Sequence, residues 1–213
     1  MTTSRQIGVV GVGLMGHGIA SSLLRAGYQV CFLEHPGNQP VDDLVAAGAS
    51  ALSSGREVAQ SAEVVILCVT GSPQVEAVLF EPNGVLEGLV PGSVIVDCST
   101  ALPSSTEKVA VRVTEAGGRF MDAAMTRAPK EAAEGRLNLI VGAPKALFDE
   151  MLPLLQGFAE NIAYAGEVGA GHTLKLLHNF VSLGFSAVLA EATAASRKAG
   201  ISDNALLDVL GAG

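Results

Sequence analysis

Three groups of residues stand where their types and spacing can do chemistry. The first is Gly11, Gly13 and Gly16, set G-x-G-x-x-G around Leu14 and Met15. A first glycine allows a tight turn out of a strand. A second lets the backbone approach a pyrophosphate, and a third lets a helix pack close to the sheet. The helix N-terminus then offers free N–H groups and a positive dipole end to phosphates. In a chain with 25 glycines the spacing alone is weak. Its context is stronger: an apolar strand before, a helical pattern after, a second strand ending at Leu33, and then Glu34. The competing reading is a glycine turn with no ligand. A carboxylate at Glu34 accepts hydrogen bonds from an adenosine ribose and repels a 2′-phosphate, which favours NAD and disfavours NADP. His35 and Pro36 follow it where NADP binding more often uses arginine and serine or threonine. The bland alternative is a solvated loop glutamate. Leu14 and Met15 in the glycine loop, His35, and Val69 with Thr70 after a third apolar run are also expected at the cofactor.

The second group is Asp97-Cys-Ser99-Thr100-Ala-Leu-Pro103, just after another apolar run. Beyond the carboxyl end of a parallel strand, Ser99 and Thr100 face the ligand crevice and suit nicotinamide, ribose or substrate. Equally, they suit a cap on the helix that follows. The third group is Gly169-Ala-Gly171-His-Thr-Leu-Lys175-Leu-Leu-His178-Asn179. Lys175 and Asn179 are i, i+4 and share one helix face, which Ser182 and Ser186 continue. A lysine on a polar stripe of an otherwise apolar helix is partly desolvated, which lowers its pKa toward an acid–base range. The alternative is a lysine snorkelling to solvent.

The elements that must position these groups follow from the apolar pattern. Runs at Gln6–Val10, Gln29–Leu33, Val64–Val69, Val94–Asp97, Leu137–Val141 and Asn161–Tyr164 read as buried strands. Helical patterns lie between most of them, at Leu14–Ala26, Val41–Ala47, Gln74–Leu79, Ser104–Ala116 and Pro144–Leu155. Unbroken apolar strands alternating with amphipathic helices predict an α/β fold with a doubly wound, mostly parallel sheet. The pattern changes near Gly166. A helix of about 28 residues from Gly171 to Lys198 and another at Asp203–Leu210 predict an all-α region. The expected division is residues 1–166 as a dinucleotide-binding domain and 167–213 as the start of an α domain for substrate and dimerisation.

Bulk properties narrow the partners. A chain of 213 residues that is 49% apolar buries a sizeable core. Two tyrosines and no tryptophan fit a β-sandwich poorly. A net charge of −8 argues against nucleic acid or an anionic membrane as partner. Cys31, Cys68 and Cys98 near the ends of apolar runs read as buried thiols of a reducing compartment, so the expected location is cytoplasmic. No metal-ligand cluster is apparent. The opening residues carry no signal-peptide pattern. The uncharged stretch Leu176–Ala190 reads as too short and too interrupted for a membrane span.

The three groups, in this order, resemble the β-hydroxyacid dehydrogenases, the 3-hydroxyisobutyrate dehydrogenase family: Gly-Val-Gly-Leu-Met-Gly, Asp97-x-Ser-Thr-x-x-Pro103 and Gly169-x-Gly-x-x-x-Lys175-x-x-x-Asn179. The resemblance covers essentially the whole chain. It implies a Rossmann domain, a long linking helix and an all-α domain that joins a homodimer or tetramer. It also implies reversible oxidation of a small 3-hydroxy acid to a semialdehyde or ketone by NAD(P). By position, Lys175 is then the acid–base and Asn179 a substrate ligand, with Ser99 beside it. Thr100 touches cofactor, and Thr126 takes the place of a serine that holds the substrate carboxylate. Two departures stand out. Arg127 and Ala128 replace a glycine pair after Thr126. Arg127 either clamps a second anionic group of the substrate or pairs with Glu131 or Glu134. The chain also stops two helices into the α domain, so that dimerisation, aggregation or poor activity is expected of it. The alternatives are an imine reductase of similar architecture, which usually lacks the lysine, and a non-catalytic nucleotide-fold module.

Overall fold

The computed structural model describes residues 5–212. In chain order its elements are β1 (Gln6–Val10), α1 (Leu14–Arg25), β2 (Gln29–Leu33), α2 (Asp42–Ala46), β3 (Ser50–Leu52), α3 (Gly55–Ser61) and β4 (Val64–Leu67). Then come α4 (Ser72–Phe80), α5 (Val85–Gly88), β5 (Val94–Asp97), α6 (Pro103–Glu115), β6 (Arg119–Thr126) and α7 (Pro129–Glu134). The last are β7 (Leu137–Gly142), α8 (Lys145–Leu155), β8 (Ala159–Gly166), α9 (Ala170–Lys198) and α10 (Asp203–Ala212).

The strands form one sheet in the order β3-β2-β1-β4-β5-β6-β7-β8. Every pairing is parallel except β6 with β7. The order of the first six strands is that of the Rossmann fold. From β1 the chain winds outward to β2, and from β4 it winds the other way to β5. The loops after β1 and β4 therefore part, and the crevice between them is where ligands of such sheets bind.

Alternation along each strand explains the unbroken apolar runs. Ile7, Val9, Val64, Ile66, Val94 and Val96 point into one core cluster. Val10, Val65, Leu67 and Ile95 point into the other, on the opposite face. With both faces covered, each such side chain is fully buried, worth about 1.5–3 kcal/mol apiece. One contact is unusually close. A Cβ on Gly18 of α1 would lie 2.6 Å from the backbone of α7. Ser22 Oγ donates to Ala132 O at 3.0 Å across the same contact, and the Arg25 guanidinium donates to Ala133 O.

Periodicity alone does not mark β3, α3, α5, β6 or α7. Four of these are too short to show a period. The fifth, β6, reads Arg-Phe-Met-Asp-Ala-Ala-Met-Thr, and Asp122 in its middle breaks the apolar run although the structure buries it completely. β8 extends beyond the expected Asn161–Tyr164 at both ends.

Two compact units divide between Lys175 and Leu176, inside α9 rather than at Gly166. The second consists of the rest of α9 and α10, tied together by the Arg197–Asp203 ion pair at 2.6 Å. Within it Phe180 is 78% and Phe185 68% exposed. By length and composition alone α9 is apolar enough to cross a membrane, so the brevity of the Leu176–Ala190 stretch does not by itself exclude a span.

Candidate active site

The glycine loop is built as its spacing predicts, with one change of reason. Gly11 has φ +96°, and a Cβ there would stand 2.3 Å from the Cys68 carbonyl oxygen. A Cβ on Gly16 would stand 1.9 Å from the Gly11 carbonyl oxygen. The third glycine thus lets α1 close onto the loop itself, more than onto the sheet. A Cβ on Gly13 would meet nothing within 4 Å. Among the described residues no side chain caps α1, so its first N–H groups remain for a ligand. The loop opens on a cleft of about 540 Å³ lined by Gly11, Gly13, Leu14, Met15, His35, Val69, Thr70, Ser99 and Thr100. That volume suits a small-molecule or cofactor site. An open second glycine and an uncapped helix end fit a dinucleotide pyrophosphate.

Two expected cofactor residues lie off this lining. Gly16 sits behind Gly11, and Glu34 is exposed at the tip of β2, its N–H donating to Leu52 O at 2.8 Å. Asn38 and Gln74 line the cleft without having been signalled by any motif. Cys68 and Cys98, read only as buried thiols, line it too. Burial pushes the Cys68 thiol up to about 12, so it is no nucleophile at neutral pH.

Ser99 is buried and does not cap α6. Its Oγ accepts from the Val69 N–H at 3.1 Å, stapling the loop after β5 to the loop after β4. Its own N–H donates to Asp97 Oδ1 at 2.9 Å. Thr100 beside it is exposed in the cleft. Asp97 is paired in register with Asp122 on β6. Asp122 accepts from the Gly169 and His172 N–H groups, each at 2.7 Å, and so caps α9 from another element. Burial raises the Asp97 and Asp122 carboxyls above the usual range, opposed in part by His172 for both and by the Gly169 N–H for Asp122. Asp122 and His172 were missed by sequence reasoning.

Lys175 lies on α9 one turn past this anchor and is partly buried. No hydrogen bond or ion pair engages its ammonium among the described residues, and burial alone pulls its pKa below the ordinary 10.5. The sign of the linked stability effect follows. The charged form is penalised in the fold, so the penalty is full below the lowered pKa and gone above 10.5. Lys175→Met is therefore expected to raise Tm at neutral pH, with the gain over the natural chain shrinking as pH rises through that window. A gain that grows with pH in thermal scans would contradict this.

Asn179 stands one turn further along α9, its Oδ1 3.4 Å from His178 Nδ1. Thr126 Oγ1 accepts from Asn138 Nδ2 at 3.1 Å, across the β6–β7 ladder. Arg127 holds φ +79° where the resembled family has glycine. Its guanidinium pairs with Glu160 and donates to Arg136 O at 2.5 Å. Neither expected partner is used. Glu131 accepts from Ala128 N at 3.1 Å, and Glu134 pairs with Arg136 at 3.0 Å. Clamping a second substrate anion would require the Glu160 pair to open. Arg127→Ala is accordingly expected to change kcat/KM for mono- and dianionic hydroxy acids alike. A selective loss on the dianions would restore the clamp.

Residues 6–166 match the NAD-binding domain of 6-phosphogluconate dehydrogenase. An NAD-dependent L-serine dehydrogenase of Pseudomonas aeruginosa is 34% identical, over 97% of this chain and 69% of its own length. The 2-hydroxy-3-oxopropionate reductase of Escherichia coli is 36% identical, over 92% of this chain and 66% of its own. A solved structure of 3-hydroxyisobutyrate dehydrogenase from Mycobacterium tuberculosis with L-serine superposes with a TM-score of 0.90 at 26% identity, covering 99% of this chain and 71% of that one.

The chain belongs to the β-hydroxyacid dehydrogenase family. Its first unit is an NAD-binding Rossmann domain, and its class of chemistry is that of an NAD-dependent oxidoreductase. The chain spans about two-thirds of the length of the two curated relatives. Those matches run through nearly all of the chain. In this β-hydroxyacid dehydrogenase, the loop after β5 serves both places: Ser99 and Thr100 line the cofactor cleft, and the Ser99 carbonyl meets His172 at the start of α9.

Proposed function

We propose that the chain reversibly oxidises a small 3-hydroxy acid to its semialdehyde or ketone, with Lys175 as acid–base. The observation that carries this is a partly buried lysine with no partner among the described residues, on a helix anchored to Asp122 within β6 and to the Ser99 carbonyl just after β5. The relatives support the substrate class. L-serine, 2-hydroxy-3-oxopropionate and 3-hydroxyisobutyrate each carry an oxygen on the carbon β to a carboxylate.

The residues divide the work. Gly11, Gly13 and the free N–H groups of α1 hold the pyrophosphate of NAD, with Leu14, Met15, Val69 and Thr70 along the cleft. Glu34 and His35 lie at the ribose end, where a carboxylate repels a 2′-phosphate. Bound NAD supplies the hydride acceptor. Ser99 keeps the loop after β5 in place, and Thr100 presents its hydroxyl to the cleft. Thr126 holds the substrate carboxylate, and Asn179 is a substrate ligand by its place in the family's Lys-x-x-x-Asn motif. Lys175 accepts the hydroxyl proton as the carbon is oxidised, and returns it to the carbonyl oxygen in reverse.

The test is a panel of 3-hydroxy acids with matched 2-hydroxy acids, each with NAD and with NADP, read as reduced cofactor. Turnover confined to 3-hydroxy acids and faster with NAD supports the reading, and turnover confined to the 2-hydroxy series overturns it. The α9–α10 unit, with Phe180, Val181, Leu183 and Phe185 exposed, is also proposed to join subunits. Sedimentation velocity is expected to show a dimer or larger species, and a monodisperse monomer would contradict it.

A further inference from the structure

His172 has no part in the chemistry above, yet it is 0% exposed and bonded on every side. Its Nε2 lies 3.0 Å from the Ser99 carbonyl oxygen. That oxygen only accepts, so Nε2 carries a hydrogen and donates. Its Nδ1 lies 2.7 Å from Thr106 Oγ1 on α6, which also reaches Leu102 O at 3.1 Å. Its backbone N–H donates to Asp122 Oδ2 at 2.7 Å. The Asp122 carboxylate also takes the Gly169 N–H, and so caps the first turn of α9. The ring adds something different, because it reaches the loop that lines the cofactor cleft. There Ser99 Oγ holds the Val69 N–H, and Val69 also lines that cleft. One bonded path therefore runs from Val69 through Ser99 and His172 into the helix turn that carries Lys175.

We propose that His172 is a positioning residue that sets the rotation and register of Lys175 against the cofactor cleft through its Nε2–H bond to the Ser99 carbonyl. The inference rests on the reading of Lys175 as acid–base. A misplacement of about 1 Å in a reacting group can cost about a hundredfold in rate, so a loosened anchor should be visible in turnover before it is visible in cofactor binding.

The test compares His172→Leu, His172→Gln and Lys175→Ala in the full chain. The readouts are kcat with the fastest acid of the panel, Kd for NADH, and the pH midpoint of Lys175 acylation followed by mass spectrometry. His172→Leu is expected to lower kcat about ten- to a hundredfold, with NADH affinity within about threefold. It should also move the Lys175 acylation midpoint upward, toward that of an exposed lysine. His172→Gln keeps an N–H for Ser99 O and is expected to restore most of both. A His172→Leu chain that loses only Tm, with kcat and midpoint unchanged, would make His172 merely structural and overturn the proposal. Should that variant not fold, Thr106→Val removes the Nδ1 partner, together with that hydroxyl's bond to Leu102 O within α6, and is expected to lower kcat with the same upward midpoint shift. An unchanged kcat and midpoint there would overturn the proposal equally. If Lys175→Ala itself retains turnover, the acid–base reading fails. If Lys175→Ala loses turnover while His172→Leu keeps it, only the positioning role fails.

Discussion

Lys175→Ala is expected to lower turnover of the 3-hydroxy acid about 10²- to 10⁴-fold, the usual contribution of a positioned acid–base group. NADH affinity should stay within about twofold, because the cleft residues do not include Lys175. The argument is local. Lys175 has no carboxylate to answer it among the described residues, so its ammonium is not part of a structural ion pair whose loss would unfold the chain. Burial favours its neutral form, which is the form that accepts a proton. The profile of log kcat against pH is expected to rise through the lowered lysine pKa in the oxidation direction, and Lys175→Ala should flatten it. An alanine chain with normal turnover and an unchanged profile would remove Lys175 from the mechanism. Initial rates and NADH titration on the same preparation distinguish these outcomes.

The second large effect separates two glycines of one loop. At Gly13 the backbone is extended, with φ −79° and ψ −160°, and an added Cβ meets nothing within 4 Å. Gly13→Ala is therefore expected to leave Tm within about 2 °C, an effect of the size of a neutral surface change. It puts a methyl where the pyrophosphate approaches the backbone, so NADH affinity should fall at least about tenfold. Gly16→Ala is different. Its Cβ would stand 1.9 Å from the Gly11 carbonyl oxygen, a backbone atom with nowhere to go. That variant is expected to lose both affinity and roughly 1–3 kcal/mol of stability, as overpacked sites do. Thermal melts with and without NADH read both quantities. Equal destabilisation by the two substitutions would mean that the loop does not have this geometry.

The cofactor half of the site was legible because its chemistry is backbone chemistry. Gly11, Gly13 and Gly16 stand out by their spacing together with the strand before them and the helix after, and the apolar runs of β1 and β4 are buried on both faces. Ser99 was legible as a residue near the crevice but not as the staple to Val69, since a hydroxyl's partner thirty positions away leaves no local trace. Asp122 and His172 were illegible for a related reason. A buried carboxylate inside a strand looks like the end of that strand until the helix it caps is placed against it. Arg127 was legible as an anomaly, yet its partner Glu160 sits on β8, beyond the reach of short-range charge patterning. Glycines punctuate the sequence at Gly166, where the match to the NAD-binding domain also ends, while the first compact unit carries on to Lys175 in the first turns of α9.

The most direct test of the account follows a single atom. A 3-hydroxy acid of the panel, deuterated at C3, is turned over with NAD, and the reduced cofactor is analysed by mass spectrometry. The account predicts deuterium on the nicotinamide of the NADH formed by the natural chain, and almost none in the same time from Lys175→Ala. Reduced cofactor without deuterium from C3, or equal transfer by both chains, would contradict it.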